Sequence, residues 1–256
     1  MAVNAGCNIS RSPAFTSINR FMNSFTHPAT WVHLDWVLLV VAGWLLIGLL
    51  GVAALRRLRL VAIVLFPAGA LLSVLLMAVA LSAAFAAPET AVLPLGLPQL
   101  PFHLRLDSLS AFFLLLIGAV SAGVSAFAAG YFRHGEGTPP GLICLEYHLF
   151  LASIAMLVMA DDAYVFMVMW ETMALASFFL VMANHRIPEI RQAGYLYMLV
   201  AHVGALGILL CFGLLQANTG DYTFANMRAQ QLTPFWGSVA FVLAVFGFGA
   251  KAGLLP

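Results

Sequence analysis

Seven long apolar stretches are the feature that most restricts how this chain can fold. They cover approximately residues 36–55, 60–86, 109–130, 142–160, 163–183, 194–216 and 235–255. Each is long enough to cross about 30 Å of hydrocarbon as an α-helix. Hydrophobic residues make up 63% of the chain and charged residues 8%, against roughly 25% charged in soluble domains. The sequence therefore predicts an all-α membrane protein with about seven transmembrane helices, in which the lipid bilayer solvates most side chains.

The chain divides into three regions. Residues 1–30 form a polar leader without the apolar core and cleavage site of a signal peptide. Residues 31–106 are expected to hold the first two transmembrane helices and a proline-rich loop over 88–106, because proline favours positions where no helix continues. Residues 107–256 are expected to hold transmembrane helices three to seven.

Composition and motifs exclude several functions. The net charge is +1, so no basic surface for nucleic acid is expected. Cys7, Cys144 and Cys211 lie far apart, without the spacing of an iron–sulfur, zinc or disulfide site. The chain also lacks glycine-rich nucleotide-binding motifs. No cofactor, metal or catalytic centre is therefore expected within it.

The distribution of basic residues predicts the orientation. Arginine and lysine concentrate in cytoplasmic loops, and six arginines follow the first, third and fifth spans, whereas Arg105 and Arg228 follow the others. This bias places the N-terminus outside the cell. The six arginines on the predicted inner side are Arg56, Arg57, Arg59, Arg133, Arg186 and Arg191.

Two ionisable residues lie well inside predicted spans. Glu171 is near the middle of the fifth span and Lys251 is in the inner part of the seventh. A charge in mid-membrane costs about 2.5–3.5 kcal/mol on insertion scales, so such residues usually face a partner or water. Glu171 and Lys251 are predicted to form a proton relay, with His202 of the sixth span as a carrier between them. The alternatives are a hydrogen-bonded neutral Glu171, a His202 held in a helix contact, and a Lys251 that reaches the interface.

Other polar residues are weaker candidates for the relay. Asp107, Glu146 and His148 are possible secondary members. Asp107 is favoured as the N-cap of the third span. Glu146 and His148 are favoured as anchors in the headgroup region. Asp161 and Asp162 are expected to be solvated turn residues between the fourth and fifth spans.

Four segments resemble a known family. FHLRLDSLSAFFLLLIG, VMWETMALASFFLV, LYMLVAHVG and FGFGAKAGLLP are similar to the proton-translocating antiporter-like subunits of respiratory complexes, most closely the hydrogenase and formate hydrogenlyase branch. The resemblance is close over residues 100–256. It implies that Glu171 pairs with Lys251 on a broken seventh span, and that His202 and Asp107 occupy polar family positions.

The resemblance also implies an architecture and a setting. The family fold has two inverted five-helix repeats, and this chain would hold four helices of the first repeat, which is typical of a truncated fragment. Its partners would be other membrane and peripheral subunits of a complex in the bacterial inner membrane.

Three functions are compatible with these features. The first is a non-redox subunit that moves protons for an oxidoreductase complex. The second is a subunit of a cation/proton antiporter complex, since the same relay would serve it. The third is a structural fragment that conducts no ions.

Overall fold

The computed structural model describes residues 31–97, 99–131, 138–216 and 220–254. Within these residues, seven helices are long and apolar enough to cross a membrane. The prediction of a multi-pass α-helical membrane protein is therefore confirmed. Two sequence-based expectations, on the leader 1–30 and on Arg133, lie outside the described residues.

The helices follow the predicted spans closely. We number them α1 (His33–Ala53), α2 (Leu58–Ala83), α3 (Ser108–Tyr131), α4 (Pro140–Val158), α5 (Ala163–Val181), α6 (Pro188–Gln216), the short α7 (Phe224–Ala229) and α8 (Pro234–Ala252). Helix α6 begins before the predicted residue 194, with proline at its start, where the missing N–H costs nothing. A π-helical turn over Val61–Leu65 widens α2 just before Pro67, which cannot donate a backbone hydrogen bond.

The segment predicted as a proline-rich loop contains a β-hairpin instead. Strands β1 (Glu89–Leu97) and β2 (Leu100–Leu106) pair antiparallel, with Glu89 opposite Leu106. In β2, alternate residues Phe102, Leu104 and Leu106 are buried against the helices, the period of a strand with one buried face. The ladder shifts register between Leu93 and Gly96, and this irregularity accommodates Pro94.

The hairpin ties together one face of the bundle, which we call the hairpin face. The Arg105 N–H donates to the Met159 carbonyl over 2.8 Å, and the Asp161 N–H donates to the His103 carbonyl over 2.9 Å. Glu89 accepts backbone hydrogen bonds from His33 and Leu34 at the start of α1. The carboxylate thus satisfies N–H groups that have no partner within the helix.

The opposite end of the bundle, which we call the basic face, carries most of the described arginines. The Gly141 N–H donates to the Leu55 carbonyl over 3.1 Å, and Thr138 donates twice to the Ala183 carbonyl. These bonds join the segments that follow α1, α3 and α5. Arg56, Arg57, Arg59, Arg186 and Arg191 all belong to this face.

A row of buried hydroxyl groups connects α2, α3 and α4. Ser121 donates to Ser73 over 2.9 Å, Tyr147 donates to the Ser121 carbonyl over 3.1 Å, and the Tyr147 and Ser125 hydroxyls lie 3.0 Å apart. Ser73, Ser121 and Ser125 are almost inaccessible to solvent. The row is therefore internal to the bundle.

Candidate functional site

Helices α6 and α8 approach each other closely through glycines. A Cβ atom added to Gly247 would lie 2.7 Å from the Gly204 carbonyl oxygen, so no larger residue fits there. Small residues let membrane helices come together in this way. The contact places the end of α8, which carries Lys251, beside the first half of α6.

Lys251 begins a short row of hydrogen bonds. Its Nζ donates to the Tyr197 hydroxyl over 2.9 Å, and the Tyr197 and Ser177 hydroxyl oxygens lie 2.5 Å apart. Because Tyr197 accepts from the ammonium, its own proton is free to point at Ser177, which donates onward to the Met173 carbonyl. Lys251 also lies 5.9 Å from the centre of the Trp170 ring. The cation is thus held between α5 and α6.

Helix α8 ends one residue after Lys251, at Ala252. Gly253 takes the left-handed conformation, with φ of +78°. This conformation favours glycine and commonly ends helices. Lys251 therefore lies in the last turn, where a cation interacts favourably with the helix dipole.

Glu171 and His202 form a second pair, between α5 and α6. The Glu171 Oε2 and His202 Nε2 atoms are 3.6 Å apart. The His202 Nδ1 lies 3.0 Å from the Met198 carbonyl, which can only accept, so Nδ1 carries a proton. In the neutral ring Nε2 is then an acceptor that faces a carboxylate. The two side chains are therefore close enough for a small movement to bring them into hydrogen-bond range.

The three predicted relay residues therefore lie on three neighbouring helices, without a direct Glu171–Lys251 ion pair among the described residues. Trp170, the chain neighbour of Glu171, contacts Lys251. Glu171 and Lys251 are both partly buried, whereas 52% of the His202 side chain is exposed. The structure thus gathers the candidates in one region and gives each of them a polar or aromatic neighbour.

A cavity of about 740 Å³ opens at the hairpin face. Charged residues and an apolar aromatic group that includes Trp170 and Phe248 line it. Among its charged residues, Asp107 accepts a hydrogen bond from the Ser110 N–H over 2.9 Å, which confirms the predicted N-cap. Partial burial opposes ionisation of Asp107, but the hydrogen bonds from Ser110 and the charge of Arg105 outweigh it and lower the pKa. This effect keeps Asp107 ionised, as suits a cap.

The prediction that Asp162 is a solvated turn residue is wrong. Its side chain is fully buried, because the hairpin and the segment before α7 cover it. It accepts from the Val165 N–H over 2.7 Å and from the His103 N–H over 2.8 Å, and lies 3.0 Å from the His103 ring. Asp161 remains partly exposed, and its partial burial raises its pKa. Asp162 is thus both the N-cap of α5 and an anchor for the hairpin.

The headgroup position favoured for Glu146 and His148 is also wrong. Glu146 is 7% exposed and His148 is fully buried, because α4 is enclosed by α1, α2 and α5. The His148 Nδ1 donates to the Cys144 carbonyl over 2.8 Å, and its Nε2 faces the backbone of Gly69. Both residues lie inside the bundle.

Three polar residues of these sites were not singled out from the sequence: Tyr197, Ser177 and His103. Tyr197 lies one and a half turns before His202, and that spacing alone does not indicate that it contacts Lys251. His103 belongs to a strand that the prolines obscured. No group of three or more metal-binding side chains occurs in the part of the chain that the structure describes. The arrangement is suited to holding and transferring protons.

Two protein families match the chain. The family described as NADH:quinone oxidoreductase/Mrp antiporter, TM, matches residues 160–256, which include Glu171, His202 and Lys251. The family described as the N-terminus of chain 5 of NADH-ubiquinone oxidoreductase (complex I) matches residues 93–139. Both models describe antiporter-like membrane subunits, and the resemblance seen in the sequence is confirmed.

Individual relatives agree with this assignment. The chain is 40% identical over 153 residues to hydrogenase-4 component B of Escherichia coli K12, covering 60% of this chain and 23% of that protein. It is 28% identical over 163 residues to formate hydrogenlyase subunit 3 of the same organism, covering 63% of this chain and 25% of the relative. The chain thus spans about a quarter of the length of these curated relatives.

A solved structure supports the same fold. The Mrp complex from Dietzia sp. DQ12-45-1b contains a chain that superposes with a TM-score of 0.68 at 27% identity, covering 84% of this chain and 23% of that one. Relatives of this chain are thus subunits of multi-subunit membrane complexes.

Proposed function

We propose that this chain is the part of a membrane subunit that transfers protons for a hydrogenase, formate hydrogenlyase or NADH-quinone oxidoreductase type of complex. Redox chemistry would take place on partner subunits, both membrane and peripheral. The observation that carries the proposal is that three ionisable side chains, Glu171, His202 and Lys251, lie on neighbouring membrane helices, with Glu171 Oε2 3.6 Å from His202 Nε2. Ionisable groups inside a membrane bundle commonly mark a route for protons.

Lys251 supplies the nearby charge in this proposal. Its ammonium lies against Trp170, next to Glu171 in the chain, without forming a direct ion pair. Movement of Lys251 towards Glu171 favours the carboxylate and releases the proton, whereas its withdrawal along the row to Tyr197 favours protonation. The partner complex would drive this alternation by shifting α8.

The cavities support a route to both sides of the membrane. The hairpin-face cavity ends on Trp170 and Phe248, close to Lys251, and a second cavity opens at the basic face. Proton uptake and substrate oxidation, measured together in vesicles that contain the full-length subunit in its complex, test the proposal. A normal ratio of the two after Glu171→Gln would contradict it.

A second function is a subunit of a cation/proton antiporter complex. The 27% identical match to a chain of an Mrp complex favours it, and the same ionisable residues would serve. The two functions differ in their dependence on sodium. Transport that requires sodium and persists without any electron donor would favour the antiporter.

We also propose that residues 1–30, 31–106 and 107–256 form a leader, an N-terminal helical part and the start of the proton-translocating part. The subunit would lie in a bacterial inner membrane with its N-terminus outside.

This orientation predicts the labelling of two cysteine variants in intact cells. Ile187→Cys lies among the arginines of the basic face, and Gln231→Cys lies in the segment before α8 at the hairpin face; both positions are exposed. An impermeant thiol reagent should modify Gln231→Cys and leave Ile187→Cys unmodified until the cells are opened, because arginine-rich segments stay inside. The reverse pattern would invert the topology.

Tyr197→Phe should slow proton transfer without unfolding the protein. The change removes only the hydroxyl that joins Lys251 to Ser177, and hydrogen bonds between membrane helices contribute about 0.6 kcal/mol on average. We expect proton translocation to fall by roughly tenfold with electron transfer preserved. Tyr195→Phe, on the exposed side of the same helix, is the matched control. Equal rates for the two variants would remove Tyr197 from the route.

A further inference from the structure

The cavity at the basic face has a volume of about 700 Å³, and a glutamate side chain is part of its lining. Residues at or just before the start of α4 line it, namely Thr138, Pro140 and Leu142, as do Phe178 and Met182 at or just after the end of α5. Three basic side chains also line it: Arg56, His185 and Arg186. Among the described residues that line this cavity, Glu146 is the one carboxylic acid.

Glu146 is buried and incompletely hydrogen-bonded. The residue is 7% exposed, and its Oε2 atom is buried with no hydrogen-bond partner. A buried carboxyl oxygen without a partner is costly, so native structures rarely leave one unless it has a functional role. Close packing of α4 on α1 fixes its position, because Gly51 and Gly141 bring the two backbones into contact.

Glu146 is buried beside a cavity that basic side chains also line. Burial disfavours a charged carboxylate. Arg56 and Arg186 line the same cavity, so their movement towards Glu146 would favour the charged form. A carboxyl that such a movement can ionise is able to take up and give up protons.

We propose that Glu146 is a proton-loading site that exchanges protons with water entering the cavity from the basic face. The inference rests on the proposed proton-translocating function and adds the group at which protons enter or leave on this side. The carboxylate binds a proton from water, which leaves hydroxide in the aqueous phase, and the reverse step returns it.

The cavity lies next to the row that leads to Lys251. Phe178 lines it, and Ser177, its neighbour in the chain, accepts from Tyr197 at the end of the row. Tyr197 in turn accepts from Lys251. The cavity and the row that leads to Lys251 thus reach neighbouring residues of α5.

Access of water to Glu146 can be measured directly, without transport. In the full-length protein within its complex, and with the native cysteines replaced, Glu146→Cys should react with a charged methanethiosulfonate reagent added at the basic face. The reaction needs a thiolate and therefore water. Ala155→Cys, fully buried further along α4, is the control, and we expect Glu146→Cys to react about tenfold faster or more. Equal rates, or reaction from the hairpin face alone, would overturn the proposal.

Function provides the second test. Glu146→Gln, which keeps the shape of the side chain, should lower proton translocation by roughly tenfold at unchanged electron transfer. Glu189→Gln, the same change at an exposed position of the same face, should have no effect. If Glu171→Gln stops translocation and Glu146→Gln does not, this inference fails alone. If neither variant affects translocation, the proposed function fails as well.

Discussion

Glu171→Gln in the full-length protein, assembled in its complex, is expected to lower proton translocation by about a hundredfold or more while electron transfer stays near its normal rate. Glutamine keeps the length of the side chain, and its amide can donate to the bare Nε2 of His202. The contact between α5 and α6 therefore survives. What disappears is the titratable oxygen that holds the exchangeable proton. The measurement is proton uptake together with substrate oxidation in sealed vesicles.

Glu189→Gln again serves as the control, since it neutralises an exposed glutamate of α6. A Glu171→Asp variant should recover part of the rate, because it restores an acid at a slightly greater distance from His202. Normal translocation by Glu171→Gln would mean that Glu171 only packs between helices.

Asp162→Ala is expected to destabilise the fold by about 3–5 kcal/mol, the usual effect of breaking a buried polar pair. The buried carboxylate accepts from the backbone N–H groups of Val165 and His103 and lies against the His103 ring. Its removal leaves these donors without a partner in a site that water does not reach. The measurement is the free energy of unfolding in detergent micelles.

Asp161→Ala is the matched control for Asp162→Ala. Asp161 is the adjacent residue, and it is partly exposed with Arg228 at 4.0 Å, so its loss should cost under about 1 kcal/mol. Asp162→Asn should fall between the two, because its carbonyl retains one acceptor. Equal stabilities for Asp162→Ala and Asp161→Ala would show that the hairpin does not depend on Asp162.

The spans could be predicted from the sequence because membrane helices impose a simple requirement of length and apolarity. Hydropathy predicted the order of the spans along the chain. Hydropathy and the family motifs together predicted that Glu171, His202 and Lys251 share one region. The β-hairpin could not be predicted by the same reasoning, because its prolines indicated a loop. The alternation of Phe102, Leu104 and Leu106 was the available signal for β2.

Contacts between helices were harder to predict than the helices themselves. The sequence paired Glu171 with Lys251, whereas the structure places His202 beside the first and Tyr197 beside the second. Which residues meet depends on the rotation of each helix, and an apolar sequence with scattered polar residues does not specify that rotation. The burial of Asp162 was also not predictable, because segments distant in the chain cover this side chain.

The hydroxyl row formed by Ser73, Ser121, Tyr147 and Ser125 has a consequence for how α4 is oriented. Lipid chains and apolar side chains attract one another about equally, so a helix in a bilayer gains little from turning one apolar side inward rather than another. Hydrogen bonds are directional and distinguish these rotations. A rotation of α4 by one residue, roughly 100°, would break the bonds of Tyr147 and carry Glu146 out of its cavity. Together with the glycine contact between α1 and α4, a few weak bonds between α2, α3 and α4 thus help to determine which way an acid on that helix faces.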